Sequence, residues 1–440
     1  MKKAIIICLC GIMGIAESHA QQWDLQQCID YAIGHNIALK QRENQCKQTE
    51  LQLSTAKNSR LPDLNAGASE SFSFGRGLTR DNTYSNTNTN STGFNLSTSV
   101  PILTGNRIPN TIKATELNLQ ATTADLEKAR EDISVQVAQQ YIQIIYDMEI
   151  IGVTNRQIAI DSLQCERLAE MMKNGKASLA ELSQQQAALA QSRLNATQAD
   201  NQYHLDILSL TQLLELPSPE GFSIVMPTVD GGNIERVIPS PDLIFSEAVN
   251  IKPSVAAEQL RLKASEKSIL IAKSALYPSL SLSAGLGSAY YNSSGYHADG
   301  FMDQMRHNFS QNIGISLNVP IFNRFSTRNQ VRSAQIDRDN QQLALDNVKK
   351  ALYKEIQQVH YNTIAASAKY KSSQQAEKSS QDAFNLMQAK YEAGKANITE
   401  FNEAKNSLMR AQSDLAQARY ELVYQYALVN FYQGKGMAFE

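Results

Sequence analysis

Asn174-Gly175-Lys176-Ala177-Ser178-Leu179-Ala180-Glu181 returns further along the chain as Ala393-Gly394-Lys395-Ala396-Asn397-Ile398-Thr399-Glu400, 219 residues on. Val100-Pro101-Ile102-Leu103 returns at the same interval as Val319-Pro320-Ile321-Phe322. Leu61-Pro62-Asp63-Leu64 returns as Tyr277-Pro278-Ser279-Leu280, 216 residues on, so a slip of three residues separates the halves. A fixed long period marks one architectural unit written twice. The first unit covers 21–216 and the second 242–440, joined by a linker, 217–241, that holds five prolines and Gly231-Gly232.

Both units read in one order: helix, strand pair, very long helix, glycine break, returning helix. In the first, Leu25 to Asn58 is helical in pattern with a break near Gly34-His35-Asn36, and Pro62 stops it. Strands follow over about 62–101, a long helix over about 106–173 and a return over about 178–214. The second unit places its strands at about 278–320, its long helix at about 326–392 and its return at about 397–432. Ile112, Leu119, Leu126, Ile133, Val137 and Ile144 keep helical spacing in the first long helix, which at 1.5 Å per residue is roughly 100 Å long. A helix of that length needs lateral partners throughout, and its mixed apolar and polar positions suit coiled-coil packing. Gly175 and Gly394 then mark tips where the chain reverses, so each unit supplies an antiparallel helical hairpin.

Between the prolines the period changes to two. Phe94, Leu96, Thr98 and Val100 alternate with Asn95, Ser97 and Ser99; Leu280, Leu282, Ala284 and Leu286 with Ser281, Ser283 and Gly285; Ile313, Ile315, Leu317 and Val319 with Gly314, Ser316 and Asn318. One side is apolar and the other is small and polar, without the Lys, Glu and Arg that coat the wet face of a soluble sheet. Apolar-out and small-polar-in at about ten residues per strand is the pattern of a barrel wall around water. In the first strand, Asp63 to Phe74, Glu70 shares parity with the apolar residues, which calls for a bulge or for a place beyond the lipid zone. Gly75 to Ser91 and Asn292 to His307 read as external loops, with Tyr84, Tyr290, Tyr291 and Tyr296 as candidates for the lipid–water interface. Four strands cannot close a membrane barrel, and an open edge in lipid leaves backbone groups unsatisfied, so several copies must share one barrel. Two copies give eight strands and three give twelve; strand count leaves both open.

The rest of the chain agrees on compartment and excludes chemistry. Lys2 and Lys3, the apolar run Ala4 to Ala16 and Ser18-His19-Ala20 make residues 1–20 a signal peptide. No later stretch reaches the roughly 20 consecutive apolar residues of a membrane helix, which leaves strands for any crossing. A net charge of −2 with scattered Lys and Arg gives nucleic acid no reason to bind. Cys28, Cys46 and Cys165, odd in number and irregular in spacing, read as small packed residues rather than a disulfide framework or metal site. The histidines are scattered, with no HExxH, Gly-x-Ser-x-Gly or phosphate loop, so no enzyme and no cofactor are expected. Met302-x-x-Met305-x-His307 has soft-metal donors, but in a polar loop it reads as incidental, and no metal is expected. The fold class is mainly α with a membrane β portion, built on a two-fold internal repeat.

Tyr391-Glu392-Ala393-Gly394-Lys395-Ala396-Asn397-Ile398-Thr399-Glu400-Phe401, leading to Ala411-Gln412-Ser413-Asp414-Leu415, and the opening Trp23-Asp24-Leu25-Gln26-Gln27-Cys28 with His35-Asn36, resemble TolC-type outer-membrane efflux proteins. With the doubled order of elements, the resemblance covers nearly the whole mature chain. It implies a homotrimer: a twelve-stranded β-barrel in the outer membrane of a Gram-negative bacterium, continued through the periplasm by a twelve-helix α-barrel. It also implies two partners, a periplasmic adaptor and an inner-membrane pump of the RND, ABC or another class. The family's acidic ring at the periplasmic gate, often aspartate, falls on Glu181, Glu400 and Glu403. Ala396 stands near the place where some members carry an arginine that tethers the closed gate, leaving Lys395 or Lys176 to substitute. The tips, Asn174, Gly175, Lys176, Ala177 and Ser178 with Gly394, Lys395 and Ala396, are the expected adaptor-docking surface. Two function classes follow: a transport conduit, and a non-transporting periplasmic or cell-surface coiled-coil structural protein.

Overall fold

The computed structural model describes residues 22–78, 82–226, 237–294 and 297–439. The signal peptide, Tyr296 and Gly231-Gly232 lie outside them. The elements in order are β1 (Gln22–Trp23), α1 (Leu25–His35), α2 (Ile37–Asn58), β2 (Asn65–Leu78), β3 (Tyr84–Thr104), α3 (Arg107–Lys173), α4 (Leu179–Leu213), β4 (Ser223–Ile224), α5 (Pro241–Ile251), α6 (Pro253–Ser274), β5 (Ser279–Ser293), α7 (Phe301–His307), β6 (Ser310–Asn318), α8 (Ser326–Glu392) and α9 (Ile398–Tyr432). Helices hold most of these residues, and α3 and α8 are each 67 residues long. No helix among the described residues is long and apolar enough to cross a membrane. The chain forms two compact units, each drawing on both halves of the sequence.

One unit spans 43–126 and 253–349 and contains a four-stranded antiparallel sheet in the order β2-β3-β5-β6. Its register settles the faces. Ala66 pairs with Leu96, Leu96 with Leu286, Val100 with Leu282, and Leu282 with Ile315, so the apolar residues of all four strands share one side. The other side is filled by rows such as Asn65, Ser97, Gly285 and Asn312, and its paired positions carry no charged residue. Ile313, Ile315 and Leu317 are 82%, 70% and 62% exposed, so the apolar side is uncovered in the protomer. The outer edges of β2 and β6 have no strand partner among the described residues.

Three expectations change here. The β2–β3 register runs unbroken from Asn65 opposite Ser97 to Leu78 opposite Tyr84, so no bulge excuses Glu70. Its carboxylate instead accepts a 2.5 Å hydrogen bond from the Thr92 hydroxyl, in a row completed by Tyr290. The register does break between Pro101 and Leu103, where proline has no N–H to give the ladder. The external loops are shorter than read: the strands extend to Leu78 and from Tyr84, β5 runs to Ser293, and α7 takes up Phe301–His307. Backbone pairing in a hairpin does not need apolar side chains, so the Asn/Thr tract is strand. Tyr290 stands on the apolar-bearing side, but Tyr291 has the opposite parity and falls on the small polar side, away from lipid.

The other unit comprises the described residues of 1–42, 127–252 and 350–440. Asp24 caps α1 in a capping box with Gln27, and the helical break falls at Asn36, whose carboxamide oxygen accepts from the Ala38 and Leu39 amides to start α2. β1 and β4 form a parallel pair that period counting could not find, because two residues carry no periodicity. The Tyr141 hydroxyl pins both, donating to the Val225 carbonyl at 2.6 Å and lying 3.1 Å from that of Trp23. Cys28 is buried, while Cys46 and Cys165 are half-buried, and all three are free thiols. Burial, aided by Asp24, pushes the Cys28 thiol up to about 12.

Candidate functional site

Both helical tips use the same stop and start signals. At the first, Gly175 has φ +65° and the amides of Gly175 and Lys176 donate back to the carbonyls of Met172 and Met171. At the second, Gly394 has φ +69°, with Gly394 and Lys395 donating to Tyr391 and Lys390. This is the Schellman closure, in which a left-handed residue satisfies the last carbonyls of a helix, and glycine adopts it without steric cost. A capping box then opens each return helix: Ser178 with Glu181 for α4, Asn397 with Glu400 for α9.

The capping boxes give two of the expected gate carboxylates local partners. Glu181 accepts from the Ser178 amide at 2.7 Å and the Ser178 hydroxyl at 2.9 Å, bonds that hold its carboxyl below the usual range. Glu400 accepts from the Asn397 amide at 2.9 Å. The pattern S/N-x-x-E was legible in the sequence and explains why both glutamates recur at this spacing. Glu403, one turn further into α9, is exposed and has no hydrogen-bond partner among the described residues. Asn174, Lys176, Ser178, Gly394 and Lys395 are exposed, whereas Ala177 packs on the apolar cluster of Leu168, Leu182, Phe384, Ile398 and Phe401 beneath the tips.

Below the tips lies a buried polar network that sequence reading missed. Asp161 on α3 and Lys405 on α9 form an ion pair with side chains 0% and 2% exposed. Asp161 also accepts from Gln185 at 2.9 Å, Ser192 at 2.6 Å and Gln157 at 3.3 Å. Lys405 donates to Asn402 at 3.0 Å, and Asn402 donates to Gln185 at 3.1 Å, closing a ring across α3, α4 and α9. Burying a charge is costly unless it is paired and hydrogen-bonded, and here both conditions hold. The available signal was Lys405 itself, which interrupts the apolar stripe of Phe401 and Leu408 at helical spacing. Neither Lys176 nor Lys395 makes a side-chain bond among the described residues; Lys405 is a buried cation that ties one hairpin to the other, and the more exposed Arg167 of α3 reaches Glu392 of α8 at 3.9 Å. Gln164 donates to the Tyr391 hydroxyl at 2.8 Å and Gln184 to that of Thr399 at 3.3 Å, adding two more ties.

A second acidic feature lies higher on the first hairpin. Asp147 on α3 adjoins Asp206 on α4; burial first, then the hydrogen bond and charge of Asp206, raise Asp147 to about 7, against a bond from Gln143. Its Oδ2 is buried without a donor, a deficit that one proton held between the carboxyls removes. No cluster of three or more metal-ligating residues occurs among the described residues.

A sheet with one uncovered apolar side, an uncharged small-residue side and two edges unpaired among the described residues, in a chain that also forms long helical hairpins, defines an outer-membrane channel protein that extends into the periplasm. The family model for outer membrane efflux proteins matches residues 28–215 and again 244–433, and the chain belongs to that family. It is 22% identical over 429 residues to outer membrane protein TolC of Escherichia coli K12, covering 96% of this chain and 84% of that one. It is 25% identical over 403 residues to the pyoverdine export outer membrane protein OpmQ of Pseudomonas aeruginosa, covering 86% and 77%. Among solved structures, the Campylobacter jejuni CmeC outer membrane channel superposes with a TM-score of 0.78 at 20% identity, covering 94% of this chain and 86% of that one. VceC of Vibrio cholerae gives 0.76 at 19%, covering 94% and 97%.

Proposed function

We propose that three copies of this chain build one duct, which passively conducts what an inner-membrane pump delivers through a periplasmic adaptor, in a tripartite efflux or type I secretion system. The observation that carries this reading is the four-stranded sheet, whose exposed apolar side and open edges make physical sense only in lipid beside another copy. Three sheets close a twelve-stranded barrel, and each protomer's two hairpins supply four of twelve helices to its extension. The two family-model matches support the repeat units 21–216 and 242–440 on either side of the 217–241 linker.

In this reading the entrance is formed by the tips. Glu403 faces the constriction as a free carboxylate, and three copies repel one another and attract cations. Glu181 and Glu400 contribute charge at fixed positions, held by their own capping boxes. The exposed residues Asn174, Gly175, Lys176, Ser178, Gly394 and Lys395, with Ala177 and Ala396, offer the adaptor its surface, and the pump belongs to the RND, ABC or another class. The test is reconstitution: the detergent-purified protein should run as a trimer and form cation-selective pores in planar bilayers. A monomer that stays in solution without detergent would overturn the reading and favour a coiled-coil structural protein.

A further inference from the structure

Where the strands give way to helices, the sheet-bearing unit presents an unbalanced charge. The segments 57–64, 102–110, 270–278 and 320–328 contain Lys57, Arg60, Arg107, Lys273, Arg324 and Arg328 against one acid, Asp63. All six basic residues are exposed, and none of their side chains makes a hydrogen bond or ion pair among the described residues. Asp63 is already engaged by the Ser99 amide at 2.6 Å and the Asn65 carboxamide at 3.0 Å. The same level exposes large apolar groups: Phe322 is 70% exposed and Tyr277 60%. Cations interleaved with aromatic rings at the end of an apolar band are what a bilayer interface selects.

Two further observations give this belt a seat. A cleft of about 570 Å³ lies between the start of α3 and the end of α6, lined by Lys273, Asn106, Asn110 and Tyr277 on its polar side and by Leu103 and Leu270 on its apolar side. Leu103 pairs with Leu280 in the sheet, so the cleft opens where the apolar face ends. Gly105 lets α3 approach α6 this closely: a Cβ there would lie 2.6 Å from the Ser274 carbonyl oxygen. The corresponding turn of the second half, Arg324-Phe325, holds both residues at left-handed φ, +56° and +61°, where Gly105-Asn106 stands in the first. Neither arginine nor phenylalanine adopts that conformation freely, and such strain persists where it positions something useful. What it positions is Arg324 next to Phe325, whose ring meets that of Phe322 at 5.5 Å.

We propose that this belt is a binding site for anionic glycerophospholipid of the periplasmic leaflet, with the headgroup phosphate in the Lys273 cleft and the acyl chains along the apolar face that begins at Leu103 and Leu280. The inference rests on the reading that this face meets lipid. A free anion would leave Leu103, Leu270 and Tyr277 uncovered, and lipid of the outer leaflet would meet the loop end of the sheet rather than its helical end.

The test uses the full-length assembly, delipidated in detergent and titrated separately with phosphatidylglycerol, phosphatidylcholine, lipid A and inorganic phosphate, with bound lipid counted by native mass spectrometry. Phosphatidylglycerol should be retained over phosphatidylcholine. Lys273→Gln should weaken it about fivefold, the worth of one basic group at an anionic surface, while Lys273→Arg retains it. Arg324→Gln with Arg328→Gln, outside the cleft, should weaken it as well, and unchanged heat-modifiable migration verifies that each variant is folded. Equal retention of the two phospholipids, an unaltered Lys273→Gln, displacement by phosphate, or preference for lipid A would each overturn the site. Those outcomes leave the membrane wall standing; a protein that takes up no lipid at all and needs no detergent removes both.

Discussion

Lys405→Met isolates the tie between the hairpins. The substitution keeps most of the side chain's volume but leaves the Asp161 carboxylate, whose side chain is 0% exposed, without its counter-ion. Removing one partner of a buried pair costs about 3–5 kcal/mol, because the remaining charge stays desolvated. Three neutral donors, from Gln185, Ser192 and Gln157, stay on Asp161, which argues for the lower end. A cost of about 3 kcal/mol is a change of roughly a hundredfold in the local opening equilibrium. Amide hydrogen exchange across 398–411 in the detergent-solubilised protein should therefore accelerate by about that factor, while the strands are unaffected. Asp161→Leu combined with Lys405→Met replaces the pair by apolar groups and should recover most of the protection. Acceleration below about fivefold in the single variant, or a double variant as open as the single, would refute the claim that the buried pair holds α9 to the first hairpin.

Gly394→Leu meets no atom within 4 Å at its Cβ, so its cost is the left-handed backbone alone, about 1–2 kcal/mol; on the proposed function trimers should persist while export fails, and loss of trimers would count against docking at the tip. Glu403→Gln should lower cation selectivity, read as a smaller reversal potential across a salt gradient, whereas Glu400→Gln keeps the Asn397 cap and should leave stability nearly unchanged; an unmoved reversal potential removes Glu403 from the gate. Asp147 has a raised folded-state pKa, so the folded chain holds a proton that the unfolded chain releases between about pH 4 and 7, and stability falls as pH rises through that window. Asp147→Asn should therefore raise the unfolding midpoint at pH 8 and leave it nearly unchanged at pH 4; an equal shift at both pH values would show that no shared proton is involved.

Much of the architecture was legible because it rests on local, periodic signals. The doubled Gly-Lys-Ala tips, the prolines bounding the strand pairs and the change of period between them belong to single segments, and backbone sterics and side-chain direction translate them directly into tips, ends and faces. What sequence spacing left open were relations between segments. Glu70 could have been a bulge until the unbroken pairing with β3 showed its Thr92 partner. The pairing of β1 with β4 has too few residues to announce itself.

The sequence alone therefore determined the long helices, their tips and the two-faced strands, since each follows from the chain's own period. Only the tertiary structure decided that Asp161 meets Lys405, that Asp147 meets Asp206 and that six basic side chains without a hydrogen bond or ion pair among the described residues lie at the foot of the sheet. Those facts depend on which residues distant in sequence become neighbours, and the strength of a charge in a protein is set by its neighbours and by the water they exclude.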